Sequence, residues 1–534
     1  MNDLLDLNEA AAWASEFTNK YVTPTNISYL LQYGKVKKYS WNGKTLVSVE
    51  ELKKYYEEYY SELRERYEER LGGDINWALS FARVKEKETT KHVHRLHPYK
   101  GKFIPQLVEY FLDGHTDDFK RDVYFRPGDI ILDPFAGSGT TLVQAAELGM
   151  HAIGLDISYF NCLISEVKLL DYDLETIAAH CQEINRIIKA ESSRLAGFDR
   201  ELSELVSSIN DEFFPSPEFK YSLARGTVDE NRVVSEALTC LKDKYDALIN
   251  RYGVELKGRL TGSDFLDTWL AAPVLREALA ARKYLNRVES EKERKLLTVI
   301  LSRTIRSCRL TPHYQLELLN KPVSGPYYCY KHRKICKPIL SMARIFGRYS
   351  RDTINRLAEF GRLKKDAFSA VIDGDSRFIN IFEEVKKRNE DFYKLLINKR
   401  IKGIFTSPPY VGQLDYHAQH EYAYELFGFN RRDDQEIGRS GRGKGSKARE
   451  EYIEGIADVL LNSKRYLADD FHAFIVANDE YGLYPEIARR AGLKIVQEFK
   501  RPVLNRTSRD RNPYGESIFH MVNNGSNSTS PDPD

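Results

Sequence analysis

Two short stretches of this 534-residue chain hold the residue types and spacing that could do chemistry. In the first, ILDPFAGSGTTLVQAAELGMHAIGLDIS at 131–158, an apolar strand ends at Asp133 and a Gly-rich turn follows. A helix then opens at Thr140, and a second strand ends at Asp156. Gly137 and Gly139 let the backbone turn tightly and approach a ligand closely, while the helix N-terminus offers unpaired N–H groups. An acid at the tip of the next strand is placed to grip ribose hydroxyls. The spacing would suit a nicotinamide cofactor, yet G-x-G-x-x-G is absent, because the chain reads GSGTTL from Gly137. In the second stretch, IFTSPPYVGQLDYH at 404–417, an apolar strand empties into Thr406, Ser407, Pro408, Pro409 and Tyr410. Successive prolines neither continue a central strand nor enter a helix interior. They predict a rigid loop at a strand end, where α/β sheets gather functional groups.

Taken together, DPFAGSGTT at 133–141 and TSPPY at 406–410 closely resemble the two signature motifs of S-adenosylmethionine-dependent amino-methyltransferases that modify DNA. The resemblance implies that Asp133, Pro134, Phe135, Gly137 and Gly139 line the methionine end of the cofactor. It places Thr140 and Thr141 at the helix start, Thr406 beside the pocket and Asp156 on the ribose. HRLHPYKGKFIPQLVEYFL at 94–112 is similar to the family segment that completes the pocket, with Lys102, Phe103, Ile104 and Pro105 as matching positions. VIDGDSRFI at 371–379 puts Asp373 and Asp375 at a strand end, with Asp375 near the adenine.

Ser407, Pro408, Pro409 and Tyr410 match the family's catalytic motif, whose TSPPY form is associated with the N4 amine of cytosine. Asp or Asn in place of the serine goes mainly with adenine N6. An exocyclic aromatic amine is a poor nucleophile, because its lone pair is delocalised into the ring. The Ser407 hydroxyl and the Pro408 carbonyl could hold its hydrogens and aim the lone pair at the methyl group. Tyr410 would stack on a base swung out of the duplex, which is the only way the target atom can be reached. The transfer requires no metal and no covalent enzyme intermediate. The implied activity is cytosine-N4 methylation of double-stranded DNA in a restriction–modification system, with a cognate restriction endonuclease as companion. Adenine-N6 methylation, RNA base methylation and a non-catalytic DNA-binding regulator are the alternatives.

These motifs need an α/β scaffold, and the flanking sequence supplies one. Apolar strands are expected at 129–133, 151–156, 367–372, 402–407 and 472–478, interleaved with helices, which predicts a largely parallel Rossmann-like sheet built from residues 75–170 and 366–523. Residues 171–365 show helical patterns and almost no strand signal, so a large inserted helical domain is expected there, a candidate for target recognition. The order, cofactor motif first and TSPPY last, resembles the alpha arrangement of the family, except that the insert precedes DGDSR. Residues 1–70 form a smaller unit. It has a helix at 7–20 capped by Asn8, a second at 23–35 stopped by Gly34, a hairpin about Asn42 and Gly43, and a long charged helix at 48–71. This unit resembles the winged helix-turn-helix of excisionases and MerR-type regulators, with Lys35, Lys37, Lys38 and Lys44 near its turn and wing.

Composition sets the outer limits. Eighty Lys+Arg against 78 Asp+Glu leave a net charge of +2, so DNA contacts must come from local basic patches. One patch holds Arg439, Arg442, Lys444 and Lys447 among glycines, too poor in apolar residues to pack and expected to order on DNA. Another, at 500–515, holds Arg501, Arg506, Arg509 and Arg511. Six scattered cysteines imply a reducing, cytoplasmic setting rather than a disulfide framework, and no stretch is long and apolar enough for a membrane span. Cys329, His332 and Cys336 lie close in sequence, but no fourth ligand is evident and ordinary packing is expected. The polar tail at 524–534 is expected to be disordered.

Overall fold

The computed structural model describes residues 3–525 apart from 19–20, 83, 85, 314, 316–318 and 505–511. Arg506, Arg509 and Arg511, and the tail from 526, therefore lie outside the described residues.

The N-terminal unit has a small core of its own, built on Ala10, Ala14, Ile27, Val47, Leu52 and Tyr56. Its first helix, Leu7–Thr18, is capped by Asp6 rather than Asn8. The Asp6 carboxylate accepts from the Asn8 and Glu9 amides, while Glu9 reaches back to the Asp6 amide at 2.9 Å. Thr23 and Asn26 form a reciprocal cap on the helix Pro24–Gln32. Strands β1 (Leu4–Asp6), β2 (Tyr39–Trp41) and β3 (Lys44–Ser48) make an antiparallel sheet in the order β1-β3-β2. Asn42 and Gly43 both take positive φ in the two-residue turn between β2 and β3, as that tight turn requires. The helix Val49–Leu71 then leads to the main body, where the Tyr67 hydroxyl donates to the Val503 carbonyl at 3.3 Å.

Among the described residues the main sheet has seven strands. They are β4 (Ile130–Asp133), β5 (His151–Asp156), β8 (Ser369–Asp373), β9 (Ile401–Thr406), β10 (Leu467–Ala477), β11 (Leu493–Pro502) and β12 (Gly515–Asn523), the numbers β6 (Tyr327–Cys329) and β7 (Lys334–Cys336) belonging to a separate hairpin. Their order is β11-β12-β10-β9-β4-β5-β8, all parallel except β12, which runs antiparallel to both its neighbours. This is a Rossmann-like methyltransferase sheet. The first five strands in chain order match the sequence expectation, while β11 and β12 were not anticipated. β11 falls partly on the basic stretch at 500–515, and Arg501 within it is buried against Glu516 at 3.3 Å. Arg501 is therefore committed to an internal ion pair and is no phosphate contact.

Apolar side chains alternate to the two faces of the sheet, and each face has a core. Ile130, Leu132, Ile153, Leu155, Ile404 and Ile475 belong to one, packed under the helices Ile381–Arg388, Glu390–Lys399 and Ser446–Lys464. On the other face, Ile131, Leu142, Phe160 and Phe405 share a core that runs on into the helices of 174–363, through Ile184, Leu275, Leu297 and Phe346. The connection from β5 to β8 carries all of those helices. No described helix is long and apolar enough to cross a membrane.

Candidate active site

The site forms where β4 and β9 end side by side. Ile131 pairs with Gly403 and Leu132 with Ile404, so the Gly-rich turn and the S-P-P-Y loop leave the sheet together. Two buried hydroxyls fasten them. Thr406 donates to the Asp133 carboxylate at 2.6 Å, and Thr141 donates to the Phe405 carbonyl at 3.2 Å. Both threonines are spent on joining the loops and do not face the cleft.

Gly139 ends the turn with φ +76 and caps the helix Thr140–Leu148. A Cβ there would stand 2.9 Å from Ser165, so glycine is required by conformation and by space. Gly137, at φ +50, lies under the Tyr99 ring, whose hydroxyl would be 2.8 Å from an added Cβ. Asp156 closes the turn from the β5 side. Its carboxylate accepts from the Gly137 amide at 2.8 Å, the Ser158 amide at 2.8 Å and the Asn161 side chain at 3.0 Å. Burial pushes the Asp156 carboxyl up to about 6 against those hydrogen bonds, and burial likewise raises Asp133 to about 6.

A cleft opens above this junction. Of the residues expected at the cofactor, Lys102, Phe103, Asp133, Pro134, Phe135, Gly137, Thr140, Asp156 and Asp375 line it. Ile104, Pro105 and Gly139 stand behind it, where Pro105 opens the helix Pro105–Leu112. The Lys102 ammonium donates to the His94 carbonyl at 2.7 Å, and burial brings its pKa down to about 8. Asp375 is held by Arg377 at 2.9 Å.

The catalytic stretch divides. Ser407 and Pro409 reach the cleft, but Tyr410 turns to an adjoining recess with Val411, Lys444, Asn478 and Tyr481. Its hydroxyl donates to Glu516 at 3.0 Å. Pro408 is buried between the two.

Tyr99, Tyr416, Glu436 and Ile437 also line the cleft and were not singled out from sequence. The buried Glu436 carboxylate accepts from the Tyr416 and His417 amides at 3.1 and 2.8 Å, pinning the end of the S-P-P-Y loop. A lone glutamate in a polar stretch gives no pattern to read. Tyr99 and Tyr416 stack at 6.2 Å and both lay inside quoted motifs, but only the fold brings their rings together.

The Gly/Arg stretch folds back onto the same loop instead of standing free. Gly412 donates its amide to the Gly438 carbonyl at 2.9 Å, Ser440 donates its amide to Asp415 at 2.9 Å, and Arg439 lies 3.6 Å from Asp415. Arg442 pairs with Glu451 at 3.1 Å. Polar anchors hold this segment where apolar packing is lacking. Lys444 is exposed, and Lys447, also exposed, belongs to the first turn of the helix Ser446–Lys464.

A Rossmann-like sheet whose central strands carry a Gly-rich turn, a ring of acids and an S-P-P-Y loop over one cleft defines an amino-group methyltransferase. The chain belongs to the DNA amino-methyltransferase family: residues 8–166 match the DNA methylase family model, and it is 46% identical to the type II methyltransferase M.MjaII of Methanocaldococcus jannaschii over 97% of each chain. Shorter stretches are 35% identical to the type II methyltransferase M.MvaI of Kocuria varians over 95 residues and 34% identical to M.BsoBI of Geobacillus stearothermophilus over 97 residues. Each of these covers 18% of this chain, with 19% and 18% of the respective relative. DNA is thus the implied substrate, and members of such families generally use S-adenosylmethionine.

Proposed function

We propose that this chain methylates the N4 amine of cytosine in duplex DNA, with S-adenosylmethionine in the cleft. The observation that carries it is the junction itself: Ser407 and Pro409 share one cleft with Asp156 and Phe135, and the Thr406–Asp133 bond ties the two loops. The cleft suits that cofactor chemically. Asp133, Asp156, Asp375 and Glu436 surround it, which favours a cationic sulfonium and ribose hydroxyls and disfavours an anionic pyrophosphate. A carboxylate offers about four acceptor positions, so Asp156, with three in use, keeps one for a ribose hydroxyl. Phe103, Phe135, Ile437 and Val459 supply apolar walls for the adenine.

Bound there, S-adenosylmethionine supplies an electrophilic methyl group. The protein's part is to position and polarise. The Ser407 hydroxyl and Pro408 carbonyl accept the two amine hydrogens, turn the lone pair towards the cleft and stabilise the positive charge that develops on nitrogen. Tyr410, on the recess side, stacks on the flipped base, with Lys444 beside it for the flanking phosphate. Arg439, Arg442 and Lys447 extend that cationic edge, and Arg506, Arg509 and Arg511 are proposed as further DNA contacts by their charge alone. The companion is a restriction endonuclease of the same sequence specificity.

Nucleoside mass spectrometry of duplex DNA treated with the protein and cofactor tests the product. N4-methylcytosine is expected. N6-methyladenine would move the same residue roles to the other base, and no modified base would overturn the reading. Tyr410→Ala should weaken binding of target duplex by about 1–3 kcal/mol, read by fluorescence anisotropy.

The N-terminal unit is proposed to grip DNA as a winged helix-turn-helix. Lys35, Lys37, Lys38 and Lys44 are all exposed, around the helix exit and the hairpin. Changing the four to Ala should weaken binding and flatten the dependence of log K on log salt by up to about 3–4, because fewer counterions are released. An unchanged slope would make the unit a docking module.

A further inference from the structure

We propose that His313, Cys329, His332 and Cys336 form a tetrahedral zinc site in the helical insert. Two of these residues are thiols and two are imidazoles, and one ligand atom from each lies within 4.8 Å of all the others. Sequence spacing hides the set, since Cys329, His332 and Cys336 sit within eight residues while His313 comes from sixteen residues upstream. The structure supplies that missing fourth ligand.

The distances fit a metal centre. Zn–S near 2.3 Å and Zn–N near 2.0–2.1 Å, at tetrahedral angles, put neighbouring S and N ligands about 3.5 Å apart. Cys329 Sγ lies 3.9 Å from His313 Nδ1 and 3.5 Å from His332 Nδ1, and Cys336 Sγ lies 3.3 Å from His332 Nδ1. Both histidines therefore point the same ring nitrogen at the thiols. Soft thiolates and imidazoles in a closed four-ligand set select zinc over the hard cations.

The backbone is shaped for the same purpose. β6 and β7 are three residues each, and the turn between them brings the His332 and Arg333 amides back to the Cys329 carbonyl at 3.0 and 2.7 Å. Arg333 takes φ +54, a left-handed conformation that a non-glycine residue rarely adopts without support. So short a hairpin has little stability of its own. A metal would staple it to the segment carrying His313, which leaves the helix Glu291–Ser307. That helix packs on the catalytic core through Leu296, Leu297 and Ile300. The hairpin in turn is fixed to the insert, where Asn210 bridges both backbone groups of Ile335 at 2.8 and 3.0 Å and Tyr328 donates to Glu230 at 2.7 Å. The site would thus join the hairpin to the segment that follows Glu291–Ser307 without touching the cleft.

The test uses the full chain purified without chelator. Elemental analysis should give one zinc per chain, and replacement by cobalt(II) should give the visible d–d bands of a tetrahedral thiolate complex. Cys329→Ser and His313→Ala should lose most of the metal. His332→Cys should retain it and strengthen the sulfur-to-cobalt charge-transfer band, and this arm still speaks if the first two variants fail to fold. Cys240→Ser, a cysteine on another helix, should leave metal content unchanged. Absence of stoichiometric metal together with no thiolate band on adding cobalt(II) would overturn the site. So would recovery of a Cys329–Cys336 disulfide from freshly purified protein, or equal metal loss in Cys240→Ser.

Discussion

Ser407→Ala should slow methyl transfer in a single turnover about ten- to a hundred-fold while cofactor affinity stays within about twofold. Ser407 lines the cleft, and in the proposed reading its hydroxyl holds the reacting amine, so its contribution falls on the transition state. Hydrogen bonds to a developing charge are worth about 1.5–3 kcal/mol, which sets the size of the effect. Rapid-quench measurement with labelled cofactor separates the step from product release, and calorimetry gives the affinity. If rate and affinity fell together, Ser407 would be a structural part of the loop instead.

The second large effect belongs to Asp156. Asp156→Ala strips the acceptor from the Gly137 amide, the Ser158 amide and the Asn161 side chain at once. Each buried donor left unpaired costs about 1–3 kcal/mol, so the variant should be destabilised by about 3 kcal/mol or more. Asp156→Asn keeps one of the two oxygens and should fold better, yet bind S-adenosylmethionine at least about tenfold more weakly if the carboxylate holds the ribose as proposed. Normal affinity in Asp156→Asn would remove the ribose role.

The wild type carries a related pH signature. Burial raises Asp156 and Asp133 to about 6, above their unfolded value of about 3.8. A raised acid favours the folded state below the unfolded pKa, and that contribution is lost as pH rises through about 6. Cofactor binding should run the other way, weakening as pH falls below about 6 and Asp156 takes up its proton. Opposite slopes of melting temperature and affinity between pH 4 and 7 would therefore be observed on one protein.

How much of this was legible in the chain depends on whether a residue acts through neighbours in sequence or in space. Asp133, Gly137, Asp156 and Ser407 announced themselves because strand, turn and helix succeed one another within a few residues. The Asn42–Gly43 hairpin did so for the same reason. Thr141 and Thr406 were drawn to the cofactor by their position in a motif, but their hydroxyls face Phe405 and Asp133 across the strand junction. No local pattern distinguishes those two fates. Glu436 and His313 meet partners sixteen to twenty residues away through turns, which leaves no periodic trace. Asp6 was overlooked as a cap because it is itself the last residue of a three-residue strand, Leu4–Asp6.

The order of the main sheet has a consequence for how the molecule is made. β4 lies between β5 and β9, and β5 must pair with β8, so both central strands wait for partners more than two hundred residues further along the chain. At roughly 5–20 residues per second, the ribosome needs about 10–50 s to supply them. During that interval the helices of the insert emerge, while the Gly-rich turn hangs from a sheet with an open edge. Pairing over such separations is also slow in itself. A nascent or truncated chain ending before Ile401 lacks the strand that fixes Asp133, and so has no site at all. Activity would then switch on only when synthesis is nearly complete, as a single late event.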